Sequence, residues 1–253
     1  MRDLWYRASD PIQLYFARRN WQPKDNPLVS IIIPTRDRWE LLLARALKSV
    51  QKQTYMNWEL IIIDDGSKRR GWDFGGANFS AIRTFRIEKD FHYPKIAWAR
   101  WCAGPVRALN CGLTKVRGDY IFRMDDDDEL FPDALELLVR AMQNTSVEYL
   151  SAQHLSDGNW VTPYVIRSRA VGGIQTTLMR SYLKCFRYNP DCWRKRWNCM
   201  NELDLQDRMI RAGVRTWYAP LIRVCKIDPR PGQDTVGWKA QLKEYGGQDD
   251  TIL

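Results

Sequence analysis

The regular patterning of the chain starts at residue 28. LVSIIIPT (28–35) is a nearly unbroken β-branched run, the mark of a strand buried on both faces, with Pro34 expected to end it. Trp39, Leu42, Leu43, Ala46, Leu47 and Val50 then recur at three- and four-residue intervals, which predicts an amphipathic helix of about four turns. Asp37 and Glu40 have the spacing of a capping box at its start. WELIIIDDGS supplies a second buried strand, Trp58 to Ile63, that ends in two carboxylates and a turn. Strand, helix and strand in so short a span make a βαβ unit with a right-handed crossover.

The alternation continues. RTFRIEK (83–89) reads as a strand, PVRALNCGLTKVRG (105–118) as a helix stopped by Gly118, and DYIFRM as a further strand. PDALELLVRAMQN follows as a helix with Pro132 at its start and Leu135, Leu138, Val139 and Met142 on one face. The class this predicts is α/β, with a mainly parallel central sheet flanked by helices.

The second half is less regular. NWVTPYVIRS reads as a strand, GGIQTTLMRSYLKCF as a strand leading into a helix, and NELDLQDRMIRAG as a helix capped by Gly213. VRTWYAPLIRVCKI supplies one or two short strands. Residues 1–27, with Pro11, Pro23 and Pro27 among Trp, Tyr, Arg and Asp, are expected to form an irregular N-terminal arm. Residues 229–253 are expected to form a C-terminal tail, which leaves 28–228 as one domain.

The chain has 253 residues and is 45% hydrophobic, enough for one good core. It contains no apolar run of the roughly 18 residues that a membrane span needs, and MRDLWYRASD lacks the apolar region of a secretory signal. A cytoplasmic protein is therefore expected, at most peripheral at a membrane. Of the six cysteines, Cys185, Cys192 and Cys199 recur every seven residues without a Cys-x-x-Cys pair, and they are read as reduced thiols rather than a zinc site. His92 and His154 are too scattered for a histidine-based metal site or charge relay. A net charge of +9 favours anionic partners: nucleotides, nucleic acid or an acidic membrane surface.

Two acidic clusters lie where ligands collect in an open α/β sheet, at the carboxyl ends of strands: Asp64-Asp65 after the second strand, and Asp125 to Asp128 after YIFRM. Carboxylates one residue apart at a strand-to-turn junction can hold a hard divalent cation, and that cation can bridge the phosphates of a nucleoside diphosphate. Four like charges in a row are explained if a metal and a diphosphate meet there.

VSIIIPTRDRWELLLARALKSVQKQTYMNWELIIIDDGS followed by ALNCGLTKVRGDYIFRMDDDDELFPDAL resembles the family 2 glycosyltransferases of the GT-A fold, from about residue 28 to 142 and more loosely to about 220. The resemblance implies transfer of a sugar from a nucleotide donor with inversion at the anomeric carbon. It divides the domain into a nucleotide-sugar-binding half, 28–130, and an acceptor-binding half, 131–228. The family's Asp-x-Asp motif falls on Asp125-Asp126-Asp127, with Asp127 touching the metal (Mn²⁺ or Mg²⁺) together with Asp125, and with Asp125 and Asp126 beside the nucleotide. The acid that binds the base falls on Asp65, and Pro34, Thr35 and Arg36 surround base and ribose. UDP is the default donor, because a carboxylate can accept from the uracil N3–H; dTDP offers the same group.

The sequence departs from the family pattern in two places. Where many members carry Ala-Arg-Asn, this chain has Ala108-Leu109-Asn110, which leaves Arg107 or Arg100 for the diphosphate. The acidic pair that heads a late helix falls on Asn201-Glu202, followed by Leu205 and Arg208. Glu202 is then the expected general base and Asp204 the fallback; the alternative for both is a helix N-terminal acid placed for the dipole. Trp193 and Trp197 are candidates for an acceptor platform, with core packing as the alternative. Arg187, Arg194, Lys195 and Arg196 suggest an anionic acceptor or surface, or simply a solvated face. GGIQTT (172–177) is a candidate lining of the acceptor cavity.

The expected acceptor is a glycan or glycolipid hydroxyl. Two other readings stay open on the sequence: the same fold glycosylating a modified base in DNA, and a non-catalytic module that binds nucleotide sugar or nucleic acid.

Overall fold

A computed structural model describes residues 2–22, 24–68, 80–88, 94–156, 158–161, 163–197 and 199–227. The expected C-terminal tail, 229–253, lies outside the described residues. The irregular N-terminal arm is corrected: Arg2–Arg19 forms a helix, α1, with Pro11 inside it. A proline in a helix interior costs about 3 kcal/mol, so tertiary contacts hold this helix. Tyr6, Asp10 and Leu14, spaced by four, are buried. Arg18 near its end donates twice to Glu148, at 2.6 and 2.7 Å.

Strand β1 (Val29–Thr35) passes through Pro34 rather than stopping there, since Thr35 still lies opposite Asp64. The predicted first helix is present in three pieces: α2 (Trp39–Leu41), a π-helical stretch (Leu42–Leu47) and α3 (Lys48–Gln51). The expected capping box is not formed. Arg38 occupies the cap position, and its side chain makes no capping bond. Asp37, at φ 53°, instead turns its Oδ1 to the amide of Lys68 at 2.6 Å. Next come β2 (Trp58–Asp64), β3 (Ile82–Arg86), α4 (Ala97–Ala103) and α5 (Val106–Lys115). Gly118 lies beyond the end of α5 and is not its stop. A side chain there would run into the Leu28 carbonyl at 2.5 Å and the Ser30 hydroxyl at 2.7 Å, so glycine lets this turn pack against β1.

The chain continues through β4 (Tyr120–Arg123), β5 (Glu129–Leu130), α6 (Ala134–Gln143) and β6 (Tyr149–Ser156). β7 (Asn159–Trp160), β8 (Tyr164–Ile166), β9 (Arg169–Val171) and β10 (Leu178–Arg180) are short. A 3₁₀ turn over Ser181–Cys185 stands where a helix was expected. Helix α7 (Asn201–Arg211) ends before Gly213 at φ 91°, and β11 (Thr216–Ile227) is one strand of 12 residues with register shifts.

The described strands form a nine-stranded sheet in the order β3-β2-β1-β4-β10-β6-β11-β5, with β7 on β6, and a separate β8–β9 hairpin. β3, β2, β1 and β4 run parallel; β10 is antiparallel to both β4 and β6, and β11 is parallel to β6. Strands from residues 28–130 and from residues 131–227 thus share one sheet. Its two faces bury separate cores: Ile31, Ile33, Leu60 and Ile62 with α6 on one side, and Ile32, Ile61 and Ile63 with α1, α5 and α7 on the other. Burial on both faces is why these strands read as continuous apolar runs.

Candidate active site

The parallel strands end abreast. Thr35 lies opposite Asp64, and Asp64 opposite Arg86. The β1–β4 pairing ends at Ile32 opposite Arg123, so the chain after β4 runs on beside the last residues of β1. At the β2 end, Asp64 is fully buried: it accepts from Arg86 at 2.5 Å and from the amide and hydroxyl of Ser67 at 2.9 and 2.5 Å. The inner of the two neighbouring acids therefore shapes the turn. Asp65 is half-buried, with its amide on the Thr35 carbonyl at 2.9 Å, beside the strand-end residues Pro34, Thr35 and Arg36.

The aspartate tetrad sorts into two pairs. Asp126 and Asp128 are buried, whereas the side chains of Asp125 and Asp127 are 41 and 23% exposed. Asp126 accepts from the Thr35 hydroxyl at 2.7 Å, and the Arg38 guanidinium reaches both Asp126, at 3.4 Å, and Asp127. Arg45 donates to the Asp127 carbonyl at 3.4 Å, and Arg123 to Asp125 at 2.7 Å. Burial pushes the Asp126 carboxyl up to about 7, against the pull of Arg38 and Thr35. Asp128 is raised well above the usual range by burial and by the charges of Asp125 and Asp127. Two of the four acids thus lean toward their neutral form while two arginines offset the others, and the run is tolerated.

Asp125 and Asp127, one residue apart and open, are an all-oxygen donor pair suited to a hard divalent cation. Magnesium-like ions are commonly held by one or two carboxylates, with phosphate oxygens completing the shell. Among the described residues no three or more His, Cys, Asp or Glu side chains converge on one metal position.

Helix α7 brings its first turn to the same place. Glu202 is half-buried; burial raises its carboxyl, the charge of Arg123 lowers it, and that of Asp125 raises it further. Glu202 and Asp125 thus share the field of Arg123. Asp204 is fully buried, paired with Lys195 at 2.5 Å and 3.8 Å from Arg208. Gln206 donates to the Tyr149 hydroxyl at 2.9 Å and to the Gly172 carbonyl at 3.0 Å, fixing α7 against the 172–177 loop.

The other predicted residues have partners outside the tetrad. Arg100 folds back onto the carbonyls of Pro94 and Lys95 at 3.2 and 3.1 Å, and Arg107 reaches the Glu88 carbonyl at 3.4 Å. Among the described residues the guanidinium groups paired with carboxylates of the tetrad are those of Arg38 and Arg123. The sequence reading missed both, although the RDR tripeptide directly after β1 was a signal for Arg38. Leu109, at the position of the missing arginine, is buried in the second core. Trp193 packs against that core with Arg194 over its ring at 4.7 Å, whereas Trp197 is 64% exposed beneath Arg196.

A model described as glycosyl transferase family 2 matches residues 30–200, more than half of the chain. The chain belongs to this family. It is 26% identical over 176 residues to the Escherichia coli UDP-Glc:alpha-D-GlcNAc-diphosphoundecaprenol beta-1,3-glucosyltransferase WfgD, covering 65% of each chain. It is 31% identical over 114 residues to the Campylobacter jejuni GalNAc(5)-diNAcBac-PP-undecaprenol beta-1,3-glucosyltransferase, covering 45% of this chain and 34% of that one. The match therefore spans less than two thirds of either relative's own length. Among solved structures, S. aureus TarS 1–349 with UDP-GlcNAc aligns at a TM-score of 0.61 and 16% identity, covering 83% of this family 2 chain and 60% of that TarS chain. The Pyrobaculum calidifontis mannosyltransferase PcManGT with GDP-Man and Mn²⁺ aligns at 0.60 and 15%, covering 92 and 68%. The fold is GT-A. Neither curated relative's name refers to nucleic acid.

Proposed function

We propose that this chain is a metal-dependent inverting glycosyltransferase that moves a sugar from a nucleoside diphosphate sugar, UDP by default, to a hydroxyl of a glycan or glycolipid. One observation carries the reading: Asp125, one residue from Asp127, is paired with Arg123, and the charges of Arg123 and Asp125 both act on Glu202 at the head of α7. Residues 28–130 bind the donor and residues 131–228 the acceptor. The named relatives act on undecaprenol-linked sugars, which supports a lipid-linked acceptor and work at a membrane surface.

Asp65 accepts from the base N–H, and Pro34, Thr35, Arg36 and Asp126 enclose base and ribose. Asp127 and Asp125 would hold Mn²⁺ or Mg²⁺, which when bound offsets the charge that grows on the departing diphosphate. Arg38, paired with Asp126 and Asp127 before the donor arrives, turns its guanidinium to the diphosphate; Arg107 and Arg100 are bonded elsewhere. Glu202 takes the proton of the acceptor hydroxyl as that oxygen attacks the anomeric carbon from the face opposite the leaving group. Its raised carboxyl suits the task, because a base works best near the operating pH. Asp204, locked between Lys195 and Arg208, orients the helix. Trp197 offers an exposed ring for an acceptor sugar, and Trp193 anchors its segment.

Calorimetry with nucleoside diphosphates and their sugars, with and without Mn²⁺, tests this reading. Metal-dependent binding of one nucleotide, lost in Asp127→Ala, is expected. Binding of no nucleotide, with or without metal, overturns it.

A further inference from the structure

Helix α1 has an outward face as distinctive as its buried one. Leu4, Trp5, Ile12, Tyr15 and Phe16 are each between 59 and 70% exposed. They make up five of the eleven large apolar side chains that stand exposed among the described residues, so this is a patch and not the usual scatter. At about 100° per residue they fall within a sector of about 120°, a continuous stripe along the helix.

Charge decides what covers it. Arg19 lies in the same sector, its guanidinium over the Tyr15 ring at 5.7 Å, and Arg7 is exposed. Asp10 points the other way and is buried on Arg208. No described carboxylate of α1 faces outward, and the whole chain carries +9. A second copy packed on this face by two-fold symmetry would bring Arg19 toward its own symmetry mate, like charge against like charge, on a chain that carries +9. A Leu, Ile and Phe stripe with Trp and Tyr among it and arginine alongside is instead suited to the headgroup boundary of an anionic bilayer.

We infer that α1 is an interfacial membrane-docking helix. Its Leu4/Trp5/Ile12/Tyr15/Phe16 face seats in an anionic lipid surface, while Asp10 and Arg18 bind it to the catalytic body. The buried Asp10–Arg208 pair and the half-buried Arg18–Glu148 pair make docking a property of the folded domain: Arg208 belongs to α7, so the helix carrying Glu202 is tied directly to the membrane-facing element. The inference rests on the lipid-linked acceptor reading only for the reason a membrane is needed.

Co-sedimentation of the full chain with phosphatidylcholine vesicles containing about one third phosphatidylglycerol tests it without donor or acceptor, so its failure is separable from failure of the transfer reading. Binding is expected to weaken on pure phosphatidylcholine and in high salt. It should fall at least tenfold in the variant Trp5→Ser/Ile12→Ser/Phe16→Ser, and Arg19→Glu should reduce the preference for anionic vesicles. Nucleotide binding in these variants should match the parent chain, which verifies their fold. Absence of vesicle binding by the parent chain, or undiminished binding by the triple variant, overturns the inference. So does a lipid-free dimer that the triple variant dissolves, since the face would then belong to a second copy.

Discussion

Asp10 of the N-terminal helix grips Arg208 of α7 with both carboxylate oxygens, each at 2.9 Å, in a place where the arginine is 1% exposed. The Tyr6 ring lies 3.5 Å from the same guanidinium, and the Arg187 carbonyl accepts from it at 2.6 Å. A segment whose sequence suggested an irregular arm therefore buttresses the helix that presents Glu202.

Removing one partner of such a buried pair leaves an uncompensated charge, which typically costs about 3–5 kcal/mol. Asp10→Asn should lower the unfolding free energy measured in urea by that order. Replacing both partners, Asp10→Leu with Arg208→Met, should recover most of the loss. A single substitution costing less than about 1 kcal/mol would mean that α1 is dispensable to the fold.

Arg38 is paired with Asp127, so on the proposed metal site it would compete with the cation. In Arg38→Gln, Mn²⁺ should bind the nucleotide-free protein roughly tenfold tighter, about 1.4 kcal/mol, while the nucleoside diphosphate should bind more weakly. Calorimetry reads both. Weaker metal binding in this variant would show that Arg38 organises the carboxylates instead of competing for them.

His154 is buried, and burial pushes its imidazole down to about 4 from an ordinary 6.5. Below pH 6.5 the unfolded chain takes up a proton that the folded chain refuses. The stabilisation is fully present above 6.5 and is lost as the pH falls toward 4, by up to about 1.4 kcal/mol per pH unit. Denaturation midpoints across that window should fall less steeply in His154→Gln than in the parent chain.

Residues 28–130 were readable because their strands are buried on both faces and their acids stand directly at strand ends. β1, β2, β4 and the tetrad therefore announced themselves. α1 was hidden because apolar residues occupy two sides of it, Tyr6 and Leu14 inward and Trp5, Ile12 and Phe16 outward, so no single stripe emerged. β6 was hidden because Ser151, Gln153 and His154 interrupt a strand that is nonetheless mostly buried. Asp37 was read as a cap because spacing alone cannot tell that its carboxylate is taken by Lys68 across the turn. The opposed roles of Asp64 and Asp65, and the arginines that offset the tetrad, depend on which strands lie abreast.

The central claim is that Glu202 is the base of a transfer whose donor is held by Asp125 and Asp127. It is tested most directly by measuring donor binding and turnover side by side in Glu202→Gln, with the pH profile of the parent enzyme. The account predicts unchanged donor affinity and turnover lower by about 10²–10⁴-fold. It also predicts that parent activity climbs with pH through an inflection above the ordinary glutamate range, because only the ionised carboxylate accepts a proton and burial raises it. Turnover that survives in Glu202→Gln with the same pH profile would contradict it.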